Sequence, residues 1–195
     1  QPLRAAGRGF DWMTGPQDHG LLPLLEERGF LQPALSICAM VKQIAVDETP
    51  DDPSGLTTQM IAGRRDDDVA QIMSQGFDIP EDVGRMYHNA YVTPSALQHT
   101  DVYTATATGS DDPMAIAYQS YIGDGPLVLL RVAATLPQAR GRGAYRALIR
   151  RRLADAALQG RRFAVVHAYS QGSQTALSDM GFATAGTLEL HRWRP

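Results

Sequence analysis

The hydrophobic and polar pattern is clearest in the second half of the chain. Residues 102–108 are rich in β-forming side chains and end in the turn cluster Gly109-Ser110-Asp111-Asp112. Residues 113–122 read as a second strand, followed by the turn Gly123-Asp124-Gly125-Pro126. Residues 127–136 are almost continuously apolar, broken by Arg131 and Thr135, as expected of a central buried strand. Three strands joined by short turns predict an antiparallel meander. A glycine-containing loop leads into a helix over 143–158, whose apolar positions Tyr145, Leu148, Ile149, Leu153, Ala156 and Ala157 recur at spacings of three and four. Gly160 stops it. Residues 163–169 form a short apolar strand, and the β–α–β order makes it parallel to 127–136. A short helix over 174–180 ends at Gly181, and strands near 183–186 and 188–193 are expected to pair as a hairpin.

The middle of the chain reads as a strand over 56–62 and two amphipathic helices over 66–75 and 81–91. Asp66, Asp67 and Asp68 stand where the first helix's dipole favours carboxylates, and Pro80 suits the start of the second. Residues 46–55 read as a loop. The first 45 residues repeat a later theme. FDWMTGPQDHGLLPLLEERGF, from Phe10 to Phe30, and FAVVHAYSQGSQTALSDMGF, from Phe163 to Phe182, both pass from Phe through a polar turn and a short helix to Gly-Phe. A strand-like segment follows each, so a decayed half-repeat is one reading and coincidence the other. The expected organisation is an extension over 1–46, a linker over 47–55 and a domain over 56–195.

The chain has 195 residues, 44% of them hydrophobic, which suits one domain or one domain with an extension. The single cysteine, Cys38, excludes an intrachain disulfide, and no Cys/His cluster has zinc spacing. A net charge of −3 hides a split. Residues 1–130 carry 7 basic and 18 acidic side chains; residues 131–195 carry 11 basic, all arginine, and 3 acidic. The split points to an anionic ligand near the C-terminal half and a cationic one near the rest. The longest apolar run, 126–137, is too short to span a membrane. The N-terminus has no secretory pattern and opens on Gln1, as a processed or trimmed chain would. A soluble cytoplasmic protein is expected.

The chemistry concentrates in TLPQARGRGAY, from Thr135 to Tyr145, between a strand and a helix. Gly141 and Gly143 let the backbone curl so that successive N–H groups point inward, and the helix N-terminus adds its positive end. Together these make an anion cradle suited to a pyrophosphate. Arg140 and Arg142 add bidentate donors. A Walker A loop would need Gly-Lys-Ser/Thr, which is absent. A dinucleotide fingerprint would need a third glycine, where Arg146 stands, and a leading βαβ unit.

The remaining pattern, Gln-x-x-Gly-x-Gly at Gln138, Gly141 and Gly143, resembles the acyl-CoA motif of the GCN5-related N-acetyltransferases, the GNAT superfamily. The resemblance covers roughly 56–193 in element order, and Phe163 to Phe182 resembles that family's strand–helix–Gly-Phe signature. Residues 1–46 resemble the N-terminal extension of some bacterial members at Trp12, Gly15, Pro16, Leu25, Gly29 and Phe30. The resemblance implies an α/β (α+β) GNAT fold: a mixed, mostly antiparallel sheet with a central parallel, splayed strand pair flanked by helices. It implies acetyl-CoA as co-substrate, with the pyrophosphate on the backbone amides of Arg140, Gly141, Arg142, Gly143, Ala144 and Tyr145. Pantetheine would run along Val132, Ala133, Ala134 and Thr135, where a backbone N–H would polarise the thioester carbonyl. The acceptor would be a small-molecule amine or a protein amine. Orientation would supply much of the rate, up to about 7–11 kcal/mol in intramolecular models.

The proton-transfer positions depart from the family. Leu177 stands where many members carry a tyrosine acid, Ser170 where an asparagine is common, and 127–136 holds no carboxylate base. His167, Tyr169 and Ser170 are the candidate catalytic residues, each with an ordinary structural role as its alternative. Arg150, Arg151 and Arg152 read as a solvated helix face or as a contact to the CoA 3′-phosphate or a nucleic acid. Asp78, Glu81, Asp82 and Asp101 are candidate contacts to a cationic amine, and Tyr118, Tyr121 and Tyr145 are candidate groove aromatics. No metal, nucleic acid or membrane partner is expected, and a homodimer is left open. The expected activity is an N-acetyltransferase working by direct attack in a ternary complex; the alternative is a catalytically weak acyl-CoA-binding or sensing domain.

Overall fold

The computed structural model describes residues 9–30, 33–50, 55–61 and 67–194. Its elements run β1 (Phe10–Thr14), α1 (Leu22–Glu27), β2 (Leu35–Gln43), β3 (Leu56–Met60), α2 (Asp67–Phe77), α3 (Glu81–Tyr91), β4 (Thr100–Ala107), β5 (Pro113–Tyr121), β6 (Leu127–Thr135), α4 (Ala144–Leu158), β7 (Phe163–Ala168), α5 (Gln171–Asp179) and β8 (Ala183–Trp193). The chain divides into two compact units, Gln43–Val165 and Gln1–Lys42 with Val166–Pro195. Asp66 of the acidic run lies outside the described residues.

In the unit Gln43–Val165 the strand order is β6–β5–β4–β3, antiparallel throughout. The meander follows from the two turn clusters, and strand periodicity sorts its side chains onto two faces. Val102, Ile116, Tyr118 and Ala134 pack with Val69, Ile72 and Met73 of α2. Tyr103, Ala105, Ala115 and Ala117 pack on the other face with Ala144 and Leu148 of α4. Each face therefore has its own helical cover, which is why β4 and β5 are buried on both sides. Arg162 and Phe163, where β7 begins, donate their backbone N–H groups to Pro126 O, just before β6, at 2.8 and 3.1 Å. Strands that start side by side run parallel, with α4 as the crossover. The fold is α+β with a mixed, mostly antiparallel sheet.

Close helix approach depends on two glycines. A Cβ on Gly76 of α2 would lie 2.8 Å from Ala134 Cβ and 3.2 Å from Thr135 N, and one on Gly84 of α3 would lie 2.8 Å from Ser74 N. These are packing glycines rather than helix stops.

The other unit pairs β1–β8–β2 antiparallel. Phe10 meets Phe30 edge-on at 5.1 Å and Trp193 at 5.6 Å. Asp11 and Arg192 form a two-point ion pair across β1 and β8, and its hydrogen bond holds the Asp11 carboxyl below the usual range. The expected C-terminal hairpin is replaced by one continuous strand. β8 has eleven residues, and Gly186 lies within it. The ladder passes from Ala39↔Gly186 to Met40↔Thr184, so Ala185 is a bulge. The glycine serves close approach, since a Cβ there would lie 3.3 Å from Pro16 Cγ.

Both Gly-Phe segments end a helix in the same way. Phe30 N donates to Leu25 O and Gly29 N to Glu26 O; Phe182 N donates to Leu177 O and Gly181 N to Ser178 O. Each is a Schellman cap with a left-handed glycine, at φ 78° and 85°. The order strand, helix, Schellman cap, strand is thus shared by 10–43 and 163–193.

Candidate active site

The loop after β6 is built to hold backbone donors open. Buried Ala139 and Ala144 fix its two ends. Between them Arg140 is extended (φ −64°, ψ 152°), and Gly141 and Gly143 take left-handed φ values of 76° and 90°. Gly143 is the residue before α4, and no side chain caps that helix. Ala147 N makes the first return bond, to Gly143 O, and the first turn carries no carboxylate. The amides of Ala144, Tyr145 and Arg146 therefore face outward at the positive end of a fifteen-residue helix. Arg140 Nη2 donates to Gly76 O at 2.8 Å, tying the loop to α2. Arg142 is exposed and pairs with no carboxylate among the described residues. Gln138 is exposed as well, while Val132, Ala133 and Thr135 are half-buried and Ala134 is buried.

Upstream, β6 is bulged. Ala117 stands opposite Ala133 and Gln119 opposite Leu130, so Arg131 and Val132 together face Tyr118. Arg152 closes the irregularity from the α4 side. Its guanidinium donates to Tyr118 O (3.0 Å), Arg131 O (3.2 Å) and Leu148 O (3.1 Å) and is 1% exposed. Burial pulls its pKa down to about 10, which leaves it charged at neutral pH. Arg152 thus corrects the reading of 150–152 as a solvated face: one of the three arginines is a core residue. Arg151 forms an i,i+4 pair with Asp155 and also reaches Thr58 O.

The bulge places Arg131 on the α3 face of the sheet. Its Nε donates to Ser120 Oγ at 2.8 Å, and its guanidinium lies 5.8 Å from the Tyr91 ring centre. Tyr91 stacks on buried Tyr118 at 4.4 Å, and Tyr118 OH meets His88 Nδ1 at 2.7 Å. Burial raises the Tyr118 pKa, so its hydroxyl stays protonated. Asp101 faces the opposite side. Its carboxylate accepts from Tyr121 OH at 2.7 Å and from Tyr103 OH at 3.3 Å on the α4 face. Glu81 pairs with Arg85 on the α3 surface, and Asp78 holds a left-handed position after α2. Tyr145 is half-buried, and burial raises its pKa against the opposing charge of Arg152.

In the other unit, His167 is half-buried in β7 and Tyr169 is 56% exposed just beyond it. Ser170 caps α5 in a reciprocal box: its Oγ accepts from Ser173 N at 3.2 Å, and Ser173 Oγ accepts from Ser170 N at 3.3 Å. Leu177 is fully buried. A separate cavity of about 470 Å³ lies in this unit, beside buried His191 and Thr14, and contains none of the loop residues.

The sequence reading missed Gly76, the Arg152 brace and the His88–Tyr118 pair. A glycine inside an amphipathic helix was the available signal for the first. The others depend on the bulge, which no periodicity marks in a strand apolar on both faces.

No family model matches the sequence, and no curated protein matches it. Solved structures do. The chain is 16% identical to a GCN5-related N-acetyltransferase from Sphaerobacter thermophilus, with TM-score 0.67, over 96% of this chain and 61% of that one. A tandem GNAT protein from the clavulanic acid biosynthesis pathway gives 13% identity and TM-score 0.69, over 98% and 66%. A GCN5-related N-acetyltransferase from Kribbella flavida gives 17% and 0.70, over 100% and 71%. The chain thus spans about three fifths to seven tenths of these proteins. It has the GNAT fold.

Proposed function

We propose that the protein is a GNAT-type N-acetyltransferase that moves the acetyl group of acetyl-CoA to a primary amine. The observation that carries this reading is the uncapped start of α4, with left-handed Gly141 and Gly143 and free-standing Arg142 around it. Orphan amides beside a guanidinium, with no acid in the helix's first turn, suit a pyrophosphate. The amides of 140–145 would hold that group, with Val132, Ala133, Ala134 and Thr135 along the pantetheine arm. The amine lone pair attacks the thioester carbonyl carbon, the new C–N bond forms and the C–S bond breaks. The ammonium gives up a proton to water and the thiolate takes one from water. Buried Leu177 has no proton to give. Positioning and a backbone N–H at the carbonyl oxygen are the main sources of rate.

Leu177 also favours a second reading, an acyl-CoA-sensing domain. The test is to incubate the protein with acetyl-CoA and a panel of primary amines and to follow free thiol. Amine-dependent thiol release supports the transferase; binding without release by any amine supports the sensor.

A further inference from the structure

We infer that the acceptor is an amine bearing a carboxylate, and that Arg131 binds that carboxylate. This rests on the acetyltransferase reading above. Arg131 is the one charged residue in β6. A regular β6 would alternate it away from Val132; the bulge puts both on the α3 face. There its guanidinium is exposed yet held in place. Nε is fixed by Ser120 Oγ, which is itself 2.9 Å from Thr100 Oγ1 on β4. The planar group lies over Tyr91, which is stacked on Tyr118. Both terminal nitrogens remain without an acceptor among the described residues.

A guanidinium positioned through Nε and an aromatic face presents its two terminal nitrogens as a fork, the geometry that takes a carboxylate. Arg131 is not part of the phosphate cradle. At about 3.3 Å per residue it lies roughly 13 Å before Thr135, and the loop begins beyond that. A single guanidinium matches a monoanion better than a phosphate. Asp101, the acid nearest in sequence among those expected to meet a cationic amine, faces the other side of the sheet and does not neutralise it.

The experiment compares amino acids with their amides and with the matching decarboxylated amines as acceptors. With wild type, kcat/KM for the carboxylate-bearing member should exceed its amide by about 10-fold or more, the scale of one charge-assisted contact. Arg131→Gln should erase that preference by raising KM for the acid, with acetyl-CoA affinity unchanged; Arg131→Lys should keep part of it. Equal use of acids and amides, or a preference that survives in Arg131→Gln, overturns the inference while leaving the transferase intact. A second measurement needs no turnover. The Nε–H signal of Arg131, assigned by its loss in Arg131→Gln, is followed by NMR during titration with N-acetylglycine and with N-acetylglycinamide. A saturable shift with the acid alone supports the subsite, and no shift with the acid refutes it. Failure to bind acetyl-CoA would instead refute the transferase reading.

Discussion

Two irregular stretches of backbone lie close together in the unit Gln43–Val165, and the protein treats them in opposite ways. At the bulge of β6, the carbonyls of Tyr118 and Arg131 are answered by a buried arginine with no paired carboxylate among the described residues. At the start of α4, the amides are left with neither a capping side chain nor an acid in the first turn. The bulge carbonyls turn toward the interior, where an unmet polar group costs about 1–3 kcal/mol, so the chain must supply the partner. The loop faces water, where open amides cost little, so it can keep them for a ligand. Closed backbone marks structure here, and open backbone marks the candidate binding site.

Arg152 carries the largest expected effect. Arg152→Ala should destabilise the protein by about 3–5 kcal/mol, because it takes the guanidinium donors from the Tyr118 and Arg131 carbonyls and opens a void. Urea unfolding reads this directly; a loss under about 1 kcal/mol would mean that the bulge does not need its brace. Gly76→Ala comes next. Alanine normally favours a helix by about 1 kcal/mol over glycine. Here its Cβ meets Ala134 and the Thr135 backbone, and overpacking of this kind costs about 1–3 kcal/mol. A net fall in unfolding midpoint is expected, whereas a rise would show that α2 can move off β6.

On the open side, Arg142→Glu should weaken acetyl-CoA binding about 10-fold with no change in unfolding midpoint, as expected when an exposed charge near a phosphate is reversed. Unchanged affinity would remove the loop from the site. The smallest effect is expected at His167. Its half-buried place in β7 fits packing, and His167→Ala should leave acyl transfer within about 10-fold of wild type. A loss beyond about 100-fold, the scale of general acid–base catalysis, would make it a proton-transfer group.

Much of the open side was legible in the sequence, because glycines, turn clusters and helix starts are local signals. TLPQARGRGAY marked the loop, and the meander before it followed from its turns. The closed side was not legible. Arg150, Arg151 and Arg152 look alike in sequence, and only the packing of α4 on the bulge separates the buried one. Gly186 misled for a related reason: a glycine near a chain end reads as a turn, but here it makes room for Pro16 inside one long strand. Asp101 looked available to a cationic acceptor because strand phase alone does not tell which face meets which helix. Ser170 and Ser173 could have been read as a cap, which would have moved the start of α5 forward to Gln171.

If the open amides of 140–145 hold the pyrophosphate of an acyl-CoA, the protein must bind acetyl-CoA. Calorimetric titration of acetyl-CoA into the wild-type protein tests it most directly. Saturable one-to-one binding is expected, with competition from CoA itself. No measurable binding would contradict it.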